Sequence, residues 1–169
     1  AVVQAAGFVG MPYIGGAAPR TDVHKGRVLT TNESPPSEPI PFHHEMSQVP
    51  EPPAYLLFYC DVPPDEGGET PIVLSHRVYK RFRELSPEFA DHLEDKGARY
   101  VRVMPPEEDA SSPIGRSWKA TFLSENREEA EARMTDMGME WQWLDNDDLY
   151  TVTRALPAIR TDPRTGRKT

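Results

Sequence analysis

The spacing of apolar residues changes near residue 75. Before it, apolar residues occur in short continuous runs, and after it they recur at the intervals of a helix. Before this point, the apolar run 55–60 is typical of a buried β-strand, and segment 69–74, which follows two glycines, is predicted to be the next strand. Cys60 lies inside the first run and is predicted to be a buried thiol. The intervening segment 63–68, Pro-Pro-Asp-Glu-Gly-Gly, predicts a tight turn. The first part of the chain is therefore expected to contribute strands.

Beyond residue 75 the apolar positions recur at helical intervals. Ser75 is predicted to cap a helix over 76–85, in which the apolar side chains recur at i, i+4 and i+7. Pro87 is suited to the first position of a second helix, which should bury Phe89 and end at Gly97. These two helices are expected to follow the early strands directly.

The last third of the chain returns to strand patterns around one more helix. Segment 99–104 alternates like a strand, and Ser124 is predicted to cap a helix over 125–137. Gly138 is expected to end that helix. Segment 139–156 then predicts a β-hairpin with an acidic turn. Strands and helices thus alternate without any internal repeat.

These elements predict one α+β domain, rich in β-structure and interrupted by helices. A length of 169 residues corresponds to a single domain, and 37% hydrophobic residues can supply one ordinary core. The 18 prolines are about twice average usage and cluster between the elements. This distribution favours a loop-rich β protein.

Charge and cysteine content exclude several classes of partner. The chain has 19 basic and 27 acidic residues, a formal net charge of −8, which argues against nucleic acids or an anionic membrane as partners. No apolar run approaches the about 18 residues of a membrane span, and no charged-then-apolar leader opens the chain. The single cysteine can form no internal disulfide, which fits a reducing compartment. We therefore expect a cytoplasmic protein.

The most informative chemistry follows the proline-rich segment 35–41. If the chain is extended there, His43 and Glu45 share one face, while His44 lies on the other. A neutral imidazole and a carboxylate held side by side supply two ligands of the 2-His-1-carboxylate facial triad, which leaves positions on Fe(II) open for substrates and O2. The pattern predicts half of a metal site, with the third ligand supplied from elsewhere.

Two other interpretations of this pair stay open. The chain has five histidines, so one His-x-Glu triplet arises readily by chance, in an interaction or structural domain where His43 and Glu45 are accidental neighbours. A non-catalytic module that binds a metal or a small acid is the second alternative. His76 and His92 lie on predicted surface helices and are not expected to bind metal.

Two motifs together resemble a known family. The run 43–46, His-His-Glu-Met, followed by 67–72, Gly-Gly-Glu-Thr-Pro-Ile, is similar to the clavaminate synthase-like branch of the TauD/TfdA group of Fe(II)- and 2-oxoglutarate-dependent dioxygenases. That branch uses His-x-Glu where the taurine dioxygenase branch uses His-x-Asp. The resemblance extends from about Tyr13 to Lys168, but it covers only part of the family's domain.

The resemblance implies a fold, cofactors and site residues. It implies a double-stranded β-helix, the jelly-roll or cupin-like core, present here in part. It places His43 and Glu45 on the metal-binding positions and Thr70 on the position whose hydroxyl contacts 2-oxoglutarate. The expected reaction oxidises a small organic substrate with O2 and releases succinate and CO2. Asn32, at the end of a β-prone run, is a candidate substrate contact, and the competing interpretation, which the sequence favours, is an asparagine that caps a turn.

The chain also departs from the family pattern. The family's second metal-binding histidine and the arginine that pairs with the far carboxylate of 2-oxoglutarate lie in late strands, whereas no histidine follows His92 here. Several late arginines are present, but none has the family's context. We therefore interpret residues 1–169 as a partial dioxygenase domain that lacks its native start and distal strands, and we expect this segment alone to be inactive.

Overall fold

The computed structural model describes residues 2–24, 26, 28–31, 33–35 and 37–169. Its helices, in chain order, are α1 (Val2–Ala5), α2 (Ser75–Leu85), α3 (Pro87–Lys96), α4 (Trp118–Phe122) and α5 (Arg127–Asp136). Its strands are β1 (Val101–Met104), β2 (Glu140–Trp143) and β3 (Leu149–Val152). In the described part before α2, backbone pairing of the β type is limited to an isolated bridge between Asp22 and Leu29. Most of the regular structure therefore lies after residue 75.

The three strands form an antiparallel sheet in the order β1-β3-β2. Met104 pairs with Leu149, and Leu149 pairs with Trp143 on its other side, so these three side chains form one row across the sheet. A short 3-10 turn, Asp145–Asp147, joins β2 to β3, with Asn146 at φ 61°. The predicted strand and hairpin are confirmed, and one face of the sheet covers the core.

The core lies between this sheet face and the helices α4 and α5. Its buried members are Met104, Trp118, Phe122, Ala130, Met134 and Leu149. The Trp118 ring meets Trp143 edge-on, with the ring centroids 5.1 Å apart, and the Trp118 indole N–H donates to the carbonyl of Asp147 at 3.0 Å. The indole is thus buried with its polar atom satisfied, which makes the burial of its large apolar ring favourable.

Local capping fixes both core helices. The Ser117 hydroxyl accepts from the backbone N–H of Ala120 at 3.2 Å at the start of α4, a helix that the sequence pattern did not predict. The Asn126 side chain accepts from the N–H of Glu129 at 2.9 Å and begins α5. The expectation of Ser124 as the cap was wrong, because the helix begins two residues later and the Ser124 hydroxyl is buried without a partner.

Helices α2 and α3 form an arm held by ion pairs and by the edge-on contact of Phe82 with Phe89, whose ring centroids lie 5.7 Å apart. Arg83 bonds to Asp91 at 2.6 Å and to Glu94 at 3.1 Å. Pro87 occupies the first turn of α3 and Gly97 ends it, as predicted, but Phe89 is exposed and Ala90 is the buried residue of that helix. No residue of α2 is buried. Exposed ion pairs of this kind contribute little stability, so this arm depends on what its apolar faces contact.

Two predicted strands are absent from the described structure. Segments 55–60 and 69–74 form no regular structure and are exposed, and the Cys60 thiol is exposed rather than buried. An apolar run predicts burial, but it does not specify which segment covers it. The α+β prediction holds for a small antiparallel sheet with helices, whereas the β-rich character is not observed, because the three strands have four residues each.

A loop near the start of the chain joins the proline-rich region to the core. The Gly15 N–H donates to the carbonyl of Thr121 at 2.7 Å, and the Gln48 side chain donates to the Gly15 carbonyl at 2.9 Å. A Cβ at Gly15 would lie 2.6 Å from Val49, and Gly15 has φ +84°, so only glycine fits this close approach. These contacts join the segment that carries Gln48 to helix α4 through Gly15. Among the described helices, none is long and apolar enough to span a membrane.

Candidate metal site

Segment 41–49 turns at the point where the sequence pattern predicts a strand. The backbone has no regular structure through His44 and then turns over 45–48, with buried Met46 in the left-handed region at φ 54°. The N–H of Val49 donates to the carbonyl of Met46 at 3.1 Å and closes the turn. The strand prediction was wrong, because buried Met46 and Val49 anchor a turn here instead of a paired strand.

This turn nevertheless brings His43 and Glu45 together. The Nε2 atom of His43 lies 3.7 Å from Oε2 of Glu45. The His43 side chain is 53% exposed and that of Glu45 is 17% exposed, so the imidazole is open to solvent while the carboxylate is held inward. The pair therefore presents one nitrogen donor and one oxygen donor side by side, with the imidazole accessible to solvent.

The second ring nitrogen of His43 fixes its tautomer. Nδ1 lies 2.8 Å from the carbonyl oxygen of Pro41, and a carbonyl can only accept, so Nδ1 carries the proton in this hydrogen bond. In the neutral ring, the lone pair of Nε2 is then on the nitrogen that faces Glu45. Metal-bound histidines usually donate their other N–H to a carbonyl or carboxylate in this way.

Arg20 is a further member of the site that the sequence pattern did not identify. Its Nη2 atom lies 3.8 Å from Oε2 of Glu45, and its side chain is 14% exposed. It also donates to the carbonyl of Thr30 at 3.1 Å, which ties it to the neighbouring loop. An arginine in a glycine-broken loop gives no periodic signal, so only the fold brings it to the carboxylate.

The donor set fits part of an Fe(II) site. Two ligands at right angles with bonds of about 2.1 Å lie about 3 Å apart, so His43 and Glu45 need to approach slightly to share one metal ion. Imidazole nitrogen and carboxylate oxygen are the donor types of the facial triad. Among the residues that the structure describes, no group of three or more histidine, cysteine, aspartate or glutamate side chains could hold a metal. The described residues therefore bring together one nitrogen and one oxygen donor of the types that a facial triad uses.

His44 has a different position from its two neighbours. Its Nε2 lies 2.6 Å from the hydroxyl of Ser75, at the start of α2. Ser75 was expected to cap that helix, but Leu74 is the capping residue and the Ser75 side chain is directed to His44 instead. His44 thus connects the site segment to the helical arm.

The other predicted site residues are not brought to this pair. Thr70 lies in the exposed segment 69–74, and no hydrogen bond joins it to His43 or Glu45 in the part of the chain that is described. Gly67 and Gly68 precede it with φ 75° and 81°, in the left-handed conformations expected of a glycine turn. Asn32 lies outside the described residues.

A second group of cations lies beside this site and comprises Arg102, on the inner face of the sheet, and Arg116, in the loop before α4. Arg102 pairs with Thr151 in the same sheet row, and Arg116 is 7% exposed. The ring of Tyr13 contacts the guanidinium carbons of Arg116, at 4.5 Å from the centroid, and of Arg20, at 5.7 Å. Arg102 shares the strand parity of buried Met104, which is the one sequence signal that could have predicted its inward position.

Burial disfavours the charged form of both sheet-side arginines. It lowers the pKa of Arg102 to about 10, with Tyr13 opposing and Arg116 adding to the shift. It also lowers the pKa of Arg116, where Tyr13 and Glu108 oppose the shift and Arg20 adds to it. Both guanidinium groups remain protonated near neutral pH. Two buried positive charges therefore repel each other.

Comparison with known proteins identifies the family. The family profile described as "Taurine catabolism dioxygenase TauD, TfdA family" matches residues 2–169 of the chain. The chain belongs to the TauD/TfdA family. A clavaminate synthase-like protein of Arabidopsis thaliana is 54% identical over 167 residues, which places the chain in the clavaminate synthase-like group of this family. The resemblance carried by the two motifs is thereby confirmed.

The match covers the two proteins unequally. It includes 99% of this chain but 50% of the Arabidopsis protein, so the chain spans about half the length of the curated relative. TauD/TfdA proteins form a family of dioxygenases with a cupin-like β fold that typically use Fe(II), 2-oxoglutarate, O2 and a small-molecule substrate. The described sheet is smaller than such a fold requires.

Proposed function

We propose that the protein is an Fe(II)- and 2-oxoglutarate-dependent dioxygenase that oxidises a small organic substrate and releases succinate and CO2. The observation that supports this function best is the 3.7 Å approach of His43 Nε2 to Glu45 Oε2. We propose these two side chains as the metal ligands that this chain contributes, on a double-stranded β-helix of which the chain forms a part.

The residues around the pair would prepare it for a metal. The Pro41 carbonyl holds the His43 ring in the tautomer that leaves Nε2 free, at 2.8 Å. Arg20, at 3.8 Å from the Glu45 carboxylate, limits how that side chain turns. The hydrogen bond between His44 and Ser75 would restrain the backbone that joins His43 to Glu45. Preformed ligand geometry lowers the free-energy cost of ordering these groups when a metal binds.

Iron bound by this pair would supply the oxidative chemistry, in which O2 and 2-oxoglutarate are consumed and one oxygen atom enters the substrate while the other enters succinate. The chain's own contribution is to hold the donors and to exclude water from the reacting groups. We propose that the Thr70 hydroxyl donates a hydrogen bond to a carboxylate oxygen of 2-oxoglutarate. The Gly67-Gly68 turn beside it would let the backbone approach this ligand closely.

The test of this function uses the full-length protein that contains residues 1–169. After anaerobic loading with Fe(II), the protein is supplied with 2-oxoglutarate and O2, and succinate is measured with and without a panel of small organic acids and amines. We expect iron-dependent succinate formation that rises with a suitable substrate. A protein that binds Fe(II) but forms no succinate above the metal-free control would support the alternative of a non-catalytic binding module.

A more local prediction concerns Thr70. Loss of one hydrogen bond to a charged ligand costs about 1.5–3 kcal/mol. Thr70→Val, which keeps the branched shape, should therefore raise the Kd for 2-oxoglutarate by about 10- to 100-fold. Thr70→Ser, which keeps the hydroxyl, is the matched control and should bind nearly as the wild type. Titration of 2-oxoglutarate into the anaerobic Fe(II) protein measures both, and an unchanged Kd in Thr70→Val would assign this hydrogen bond to another residue.

A further inference from the structure

The two ends of the loop 20–30, which precedes the candidate metal site in the chain, are joined by backbone contacts. Asp22 and Leu29 form an isolated antiparallel bridge, and the N–H of Thr30 donates to the Thr21 carbonyl at 3.1 Å. The Thr21 N–H donates in turn to the Thr30 hydroxyl oxygen at 2.9 Å. Arg20 therefore follows a backbone that is held in place from both ends of the loop.

The Glu33 carboxylate adds a side-chain contact to this closure. Its Oε1 atom accepts from the Thr21 N–H at 2.8 Å and from the Thr30 hydroxyl. These hydrogen bonds, with that of Thr21 first, lower the pKa of Glu33, so the carboxylate is ionised and accepts at neutral pH. Hydrogen bonds to an ionised acceptor are about twice as strong as neutral ones. One exposed carboxylate thus joins both ends of the loop.

Arg20 extends from this loop to the candidate metal site. Its Nη1 atom donates to the Thr30 carbonyl at 3.1 Å, and its guanidinium carbon lies 5.7 Å from the centre of the Tyr13 ring. Its Nη2 atom lies 3.8 Å from Oε2 of Glu45, and the side chain is 14% exposed. The loop therefore holds the guanidinium group while that group contacts the Glu45 carboxylate.

Arg20 and His43 approach the same oxygen of Glu45. Both contacts, at 3.8 Å from Nη2 of Arg20 and 3.7 Å from Nε2 of His43, are to Oε2. An ionised carboxylate has about four lone-pair sites, so one can face the guanidinium group while another is left for a metal ion. The arginine is thus placed to restrict rotation of the carboxylate that lies beside the imidazole.

We propose that Glu33 is a positioning residue of the metal site, which acts on the ligand Glu45 through Arg20. Glu33 closes the loop that holds the guanidinium group, and the guanidinium group orients the carboxylate beside His43. This inference rests on the proposed function and adds to it a device, outside the ligand segment 41–49, that sets the geometry of one ligand. Groups that orient metal ligands typically contribute about 10- to 100-fold to metal affinity or activity.

The first test measures the affinity of the full-length protein for Fe(II), which does not depend on turnover. Arg20→Gln removes the charge and shortens the side chain. We expect it to raise the Kd for Fe(II) by about tenfold or more, measured anaerobically by competition with a chelator. Arg20→Lys restores a cation and should bind Fe(II) more tightly than Arg20→Gln. Unchanged or tighter binding in Arg20→Gln would overturn the proposal, because the arginine would then only repel the metal ion.

Glu33→Ala tests the closure of the loop and leaves Arg20 and both ligands in place. We expect it to raise the Kd for Fe(II) by about threefold or more. Glu38→Ala is the matched control, because it removes another exposed carboxylate, which forms no hydrogen bond to the loop among the described residues. It should leave the Kd unchanged. Equal effects of the two variants would assign the change to overall charge and overturn the proposal.

A double variant tests whether Glu33 acts through Arg20. In the Arg20→Gln background, Glu33→Ala should change the Kd for Fe(II) by less than about 1.5-fold, because the group that Glu33 positions is absent. If the increases of the two single variants multiply instead, the residues act independently, and the proposed connection between them is wrong.

Unfolding midpoints of the metal-free variants separate this role from a general loss of structure. If Arg20→Gln does not fold, the comparison of Glu33→Ala with Glu38→Ala decides the proposal, since both keep Arg20. Succinate formation by the wild type, with Fe(II) affinity unchanged in Arg20→Gln and Glu33→Ala, would refute the positioning role alone. The expected order of Fe(II) affinities without any succinate formation would refute the dioxygenase function alone.

Discussion

Replacing His43 or Glu45 by alanine is expected to remove bound Fe(II) and all iron-dependent succinate formation from the full-length protein. Each change deletes a donor atom from the pair whose atoms lie 3.7 Å apart. Removal of groups that merely orient metal ligands already costs about 10- to 100-fold in affinity, so we expect loss of a ligand to cost at least about 100-fold. Metal content after anaerobic loading and desalting measures this directly.

His44→Ala is the matched control for these variants. It removes an adjacent imidazole of the same type, but one whose Nε2 is hydrogen-bonded to the Ser75 hydroxyl. We expect it to retain most of its iron, with a moderate loss of affinity if the backbone between the ligands loosens. Circular dichroism and unfolding midpoints of all three variants check that they fold. Greater iron loss in His44→Ala than in His43→Ala would overturn the ligand assignment.

Residues 1–169 expressed by themselves are expected to form no succinate from 2-oxoglutarate. The described residues present a histidine and a carboxylate, but no third donor accompanies them. Affinity at a facial-triad site depends on all three ligands being presented together, so the segment should bind Fe(II) weakly and leave it poorly placed. The exposed apolar segments 55–60 and 69–74 should also make it prone to aggregation.

The experiment compares this segment with the full-length protein under identical loading. Succinate is followed for both, and light scattering records aggregation, so that an inactive soluble segment is distinguished from a precipitated one. A full-length protein with His43→Ala serves as the inactive reference. If the segment formed succinate at a rate comparable to the full-length protein, then His24, His76 or His92 would complete the triad, and our view of the site would be wrong.

The sequence predicted best the elements whose partners are close along the chain. Strand 101–104, the hairpin and the ends of two helices at Gly97 and Gly138 were found in this way, because strand alternation, turns and caps are encoded within a few residues. The predicted start of α5 was two residues too early, because Ser124 and Asn126 are both suitable capping residues and the helix uses Asn126. Propensity alone does not choose between them.

Elements that depend on distant partners were predicted poorly. Segments 55–60 and 69–74 have the composition of strands, yet strand formation needs a neighbouring strand to satisfy the backbone, and the described structure provides none there. The same limit applies to the site. His43 and Glu45 were predicted from their local spacing, whereas Arg20 reaches Glu45 only through a loop that the core positions.

The edge-on packing of Trp118 against Trp143 means that tryptophan fluorescence reports on the core and not on the whole chain. All three tryptophans of the chain belong to or pack against the core cluster, and none lies in segment 41–49. Indole emission should therefore follow loosening of the sheet and its two helices and remain nearly silent when the segment that carries His43 rearranges. Fluorescence and metal release would then report different transitions of the same chain.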